Sequence, residues 1–156
     1  MCARIFVFLF VFGLFNSSFA SAEGYEELPP ISLFADKYSK TGDNTYLLNA
    51  QVRCAAVLFN LANVFKTSGM DDQANMIEML TMSQMMGAEK AYLSKVIDAD
   101  DQDRKRARSY VQEEVQRFNL MVGNRMKRNQ DQTGEAFSED DVLMRDITFC
   151  AQFSQQ

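Results

Sequence analysis

The sequence predicts an all-α protein: a four-helix bundle-like single domain behind an N-terminal arm, with one disulfide linking its first and last helices. Three observations carry this. Beyond residue 44 there is no proline, and glycine is confined to Gly69, Gly87, Gly123 and Gly134. So few breakers over such a length favour long helices. The segments between them repeat apolar residues at steps of three, four and seven, the spacing of one helix face. No segment alternates apolar and polar as a half-buried strand would, and none repeats at a fixed period.

Residues 1–22 stand apart. Arg4 is their only charge, residues 5–15 form an unbroken run of apolar residues and one glycine, and Ala20-Ser21-Ala22 follows a short polar stretch. A basic start, an apolar core of about 7–15 residues and an A-x-A exit are the layout of a cleavable secretory signal. The run is shorter than the ~20 apolar residues a membrane-spanning helix needs. Cleavage is expected after Ala22, or after Ala20 as second choice, so that the exported chain begins at Glu23 or Ser21. Cys2 precedes the apolar run and is not placed for lipid attachment. The domain plan is thus a signal peptide at 1–22, an acidic arm at 23–44 and a helical bundle at 45–156.

In the arm, Pro29-Pro30 suits a first helical turn and predicts a short helix over 31–38, the rest being irregular. Tyr25, Ile31, Leu33 and Phe34 give the arm more apolar surface than a free tail leaves in water, so it should dock on its own bundle or on a partner.

The first bundle helix is expected over 45–66, with Leu47, Cys54, Leu58, Leu61 and Phe65 on one face. Asp43 or Asn44 can cap it, and Gly69 lies just past its end. The second is expected over 71–97, with Asp71 and Asp72 at its positive end. Its stripe reads Met79, Met82, Met86, Leu93 and Ile97, and these are expected to face the core. The third spans 100–129, with Ala107, Val111, Val115, Phe118, Val122 and Met126 as its stripe. Acids open it and Arg125, Lys127 and Arg128 close it, both complementing the helix dipole. The fourth is expected over 139–153, with Ser138 and Asp141 as a capping box, Phe137 and Val142 as a staple, and Leu143, Ile147 and Cys150 facing inward. Four helices with one apolar stripe each bury those stripes best as a bundle.

Removal of the signal leaves two cysteines, Cys54 and Cys150, both on inner stripes. An even count in an exported chain reads as one disulfide. The formal net charge is −5, and one unit more negative without Arg4. Such a protein is not built to hold nucleic acid or an anionic membrane surface, and no second apolar run of membrane length is evident. The short signal and single-domain size favour a bacterial periplasm, with secretion as the alternative.

The chain has no histidine, which removes the commonest general base and metal ligand together. No nucleophile elbow, phosphate-binding glycine loop, Cys-x-x-Cys or haem attachment motif appears. Carboxylate-pair chemistry needs only Asp and Glu, but the acids sit at helix starts, where capping accounts for them. An enzyme is therefore not expected, and no cofactor. Met70, Met76, Met79, Met82, Met85 and Met86 crowd together. Thioethers select Cu(I), so Met76, Met79, Met82 and Met86 are candidate ligands of a metal-handling protein. Against this, methionine is a helix former that fills cores, and the expectation is packing and no metal. The basic run Arg104-Lys105-Arg106-Ala107-Arg108 is read as a solvated, self-paired helix start. Tyr46, Tyr92 and Tyr110 stand singly and mark no site. The expected function is non-enzymatic binding of a protein partner or a small apolar ligand, the alternatives being metal handling and an enzyme with an unrecognised carboxylate pair.

Overall fold

The computed structural model describes residues 28–153. The expected signal peptide, with Ala20 and Ala22, and the start of the arm lie outside the described residues. Within them the chain forms five α-helices and no strand: α1 Ile31–Thr41, α2 Asn44–Thr67, α3 Asp71–Leu93, α4 Asp101–Thr133 and α5 Asp141–Phe153.

Local chemistry sets the boundaries. Pro30 precedes α1, where its missing N–H costs nothing. Asp43 caps α2 by accepting from Thr45 N at 2.9 Å. Asp100 and Asp103 form a reciprocal capping box on α4, at 2.8 and 3.2 Å. Gly69 (φ 74°) and Gly134 (φ 84°) take the left-handed conformation beyond α2 and α4, which suits a residue without Cβ. Asp140 caps α5, accepting from Val142 N and Leu143 N at 3.0 Å each. The expected Ser138–Asp141 box does not form. Asp140 lies two residues nearer the helix and is fixed by α4 as well, so it takes the cap.

The helix α2 is the hub. It packs most extensively on α3 and also meets α1, α4 and α5. One of its faces joins Ile31, Val122, Met126, Leu143 and Cys150 in a core around Cys54, Val57 and Leu58. The opposite face joins Ala88, Val111, Val115 and Phe118 in a second core around Val52, Ala55 and Ala56. An 18-residue window of α2 is apolar enough, by length and composition, to cross a membrane, but 56% of it is buried inside the bundle. It is also interrupted by a buried arginine, Arg53.

Cys54 and Cys150 form the expected disulfide, with Cα atoms 5.3 Å apart. It links the second and last helices instead of the first and last, because the short helix of the arm is a full member of the bundle. Ile31 is completely buried, and α1 packs on α2 and α5. The described part of the arm therefore docks on its own bundle.

All six predicted stripe residues of α4 are buried. The stripe predicted for α3 is the wrong face. Met79, Met82 and Met86 are 65, 61 and 58% exposed, Ile97 is 91% exposed beyond the helix end, and the buried residues are Ala74, Thr81, Gln84, Ala88 and Ala91. The reason is the closeness of α2 and α3. A Cβ added at Gly87 would stand 2.1 Å from the Gln51 amide nitrogen, and three of the five buried residues of α3 are alanines, so the two helices meet here through mostly short side chains. Interaxial distance follows the side chains at the contact, and α3 approaches with its alanines while its long thioethers turn outward.

Candidate functional site

The two cysteines are structural. Both are fully buried and join α2 to α5 in the larger core. Beside them lies a polar cross-link that the sequence reading passed over. Arg53 donates to the Pro29 carbonyl at 2.7 Å and stands 4.0 Å from the Asp146 carboxylate, both side chains being 1–2% exposed. Its guanidinium lies 5.5 Å from the Phe34 ring centre and 5.7 Å from that of Phe118. One charged side chain thus ties α2 to α1, α4 and α5. The signal for it was an arginine inside the otherwise apolar centre of α2.

The basic run on α4 is self-paired in part, and its last member reaches across to α3. Arg104 stands 3.7 Å from Asp101, Arg106 bonds Asp103, and Arg108 reaches Glu89 of α3 at 3.6 Å. Arg106, foremost, and the Asp100 backbone hold the Asp103 carboxyl below its ordinary pKa.

An acidic cleft of about 300 Å³ opens where α4 meets α5, bordered by Arg125, Asn129, Glu135, Glu139, Asp140 and Asp141. Its central carboxylate, Asp140, accepts from Arg125 Nε at 2.5 Å, Arg125 Nη2 at 2.9 Å and Asn129 Nδ2 at 2.6 Å, besides capping α5. Burial would raise its pKa, but the Arg125 hydrogen bond, the backbone N–H of Leu143 and Asn129 outweigh this and hold it at about 2. A carboxylate kept so firmly ionised is a fastening and a poor proton donor near neutral pH.

A second cleft, of about 370 Å³, has a different character. Leu48 comes from the first turns of α2, Ala91 and Tyr92 from the end of α3, Lys95 and Val96 from the turn after it, and Tyr110 from α4. Tyr92 and Tyr110, which the sequence left as singletons, meet here with ring centres 5.0 Å apart and planes tilted by 38°. Burial, with Glu114 adding to it, raises the Tyr110 phenol above its ordinary pKa of 10, so the hydroxyl stays a neutral donor at physiological pH. At the rim, Lys95 Nζ donates to Thr45 Oγ1 at 2.6 Å and stands 3.5 Å from Asp43. The lining therefore offers an apolar wall, two phenol rings, the polar side chains of Asn44 and Thr45, and one ammonium group that Asp43 already partners. No periodicity could reveal it, since its parts come from three helices and each belongs to a different stripe.

The methionines divide. Met85 is half-buried against the smaller core, whereas Met76, Met79, Met82 and Met86 are all more than half exposed. Among the described residues, no group of three or more Cys, Asp or Glu side chains is placed to hold a metal ion. No family model, curated protein or solved structure matches the chain.

Proposed function

We propose that the chain is an exported protein that acts by binding and not by catalysis, and that its ligand is a small apolar molecule with an anionic end, held in the cleft between α2, α3 and α4. The observation that carries this is the meeting of Tyr92 and Tyr110 above Leu48, Ala91 and Val96, with Lys95 at the rim. A volume of about 370 Å³ falls in the range of small-molecule sites, which combine apolar walls with a few polar groups that fix orientation. The phenol rings supply flat, stiff contact area and Lys95 supplies the charge. Export is supported by the leader-like residues 1–22 and by the Cys54–Cys150 disulfide, which suits an oxidising compartment.

The test is ligand-observed NMR of the exported protein against short alkyl and aryl carboxylates and their amides. The carboxylates are expected to bind more tightly than the amides. Tyr110→Ala should abolish binding of both, and Lys95→Met should erase the preference for the carboxylate while leaving apolar contact intact. Absence of binding by either class, or binding indifferent to Tyr110→Ala, refutes the proposal.

A further inference from the structure

Along α3 the usual division of labour is reversed. Alanines, with Thr81 and Gln84, fill the interior, and four methionines stand in water with 55–65% of their surface exposed. Glutamate, lysine or glutamine would serve a solvated helix face equally well by propensity, so the fold itself does not call for thioethers there.

Three of the four share one face. At 100° per residue, Met79, Met82 and Met86 fall within a wedge of about 60°. Met82 is three residues from Met79 and four from Met86, the two spacings that make helix side chains neighbours, with Cβ atoms about 5–6 Å apart. Methionine is unbranched, with rotatable bonds throughout, so neighbouring sulfurs on such a face can close on a common point. Met76, one turn nearer the N-terminus, borders the group. Ala91 and Tyr92 leave the helix in other directions, toward the cleft, so the two surfaces are separate.

We propose that Met79, Met82 and Met86 form a surface site for Cu(I). Thioether sulfur is a soft, neutral ligand that selects Cu(I) over the harder divalent ions. Among the described residues stronger soft donors are lacking: there is no histidine, and Cys54 and Cys150 are bonded to each other and buried. The acidic chain, at formal net charge −5, favours the approach of a cation. A thioether also has no proton to lose, in contrast to thiol, imidazole and carboxyl ligands, whose metal affinity depends on pH. Binding at this site is therefore independent of pH, a property that separates it from adventitious capture by the acidic surface. The proposal does not rest on the cleft and stands or falls separately from it.

The experiment is anaerobic titration of the disulfide-intact protein with Cu(I) against a chromophoric chelator, with Ag(I) as a probe that undergoes no redox chemistry. A single equivalent is expected to bind, with affinity unchanged between about pH 5 and about pH 8. Met82→Leu should weaken it about ten-fold or more, and the triple variant Met79→Leu/Met82→Leu/Met86→Leu should abolish it. Leucine preserves helix propensity and apolar surface at these exposed positions, so circular dichroism and thermal unfolding should match wild type. The same substitutions would leave an apolar docking face intact. No binding by wild type, binding that survives the triple substitution, or affinity that falls steeply with acid overturns the proposal, as does metal-independent self-association that the triple variant retains in place of metal binding.

Discussion

Replacement of Asp140 by asparagine isolates the charge of one carboxylate that fastens α5 to α4. Asparagine caps a helix about as well as aspartate, so Asp140→Asn should preserve the hydrogen bonds to Val142 N and Leu143 N while removing the ion pair with Arg125. The Asp140 side chain is 5% exposed and that of Arg125 is 15% exposed, which protects the pair from solvent screening. Its pKa is about 2 in the folded protein against an ordinary 3.8. At about 1.4 kcal/mol per unit, this represents on the order of 2 kcal/mol of stability at neutral pH. The sign follows from the depression. The contribution is complete above pH 3.8 and is lost as pH falls through about 2, because the unfolded chain takes up the proton first. Asp140→Asn should therefore lower the free energy of unfolding by at least about 2 kcal/mol at pH 7, and the gap should narrow progressively below about pH 4. Urea denaturation followed by circular dichroism, with wild type and variant compared at several pH values, measures this directly. A deficit that does not change with pH, or one below about 0.5 kcal/mol at pH 7, would refute the view that Asp140 works as a buried ion-pair partner.

Two further perturbations test the architecture. Cys54→Ala with Cys150→Ala opens a loop of sequence separation 96, for which the chain-entropy model gives a loss of about 4–5 kcal/mol. Denaturant unfolding should show it together with a steeper m-value, and a loss under about 1 kcal/mol would contradict a native cross-link. Ile31→Ala should cost about 2–4 kcal/mol, as for any fully buried branched side chain, with no change in oligomeric state by light scattering. A value near zero would mean that α1 is not part of the core.

Much of this arrangement was legible because it depends on local rules. Helix α4 was readable at its acidic start and along its six-residue stripe, but it runs to Thr133, four residues past the expected boundary, so that Arg125, Lys127 and Arg128 do not close it and its last turn carries no basic residue. In α3 the local rules point two ways, since it carries both a methionine row and an alanine row at helical spacing. Hydrophobicity alone favours the methionines. Among candidate sites, the disulfide was legible because, with Cys2 set apart in the leader-like segment, the remaining two of the three cysteines have only one way to pair. The tyrosine cleft was not, because Tyr92 and Tyr110 are brought together by packing between α3 and α4 and carry no shared signal in the chain.

Breakers, caps and side-chain periods act over a few residues and need no partner, and they were enough to mark the helical segments and, to within a residue, the starts of α2, α3 and α4. Tertiary structure decided which face of α3 turns inward, that the arm's helix becomes part of the core, and which carboxylate fastens α5. Each of these is a competition settled by fit. Gly87 and the alanines let α3 lie close against α2 where methionines would hold it away. Ile31 is buried where α1 packs on α2 and α5, and Asp140 outcompetes Ser138 because Arg125 and Asn129 reach it from another helix. Such outcomes depend on the distance and shape of a neighbouring surface, which residue spacing along a single chain does not encode.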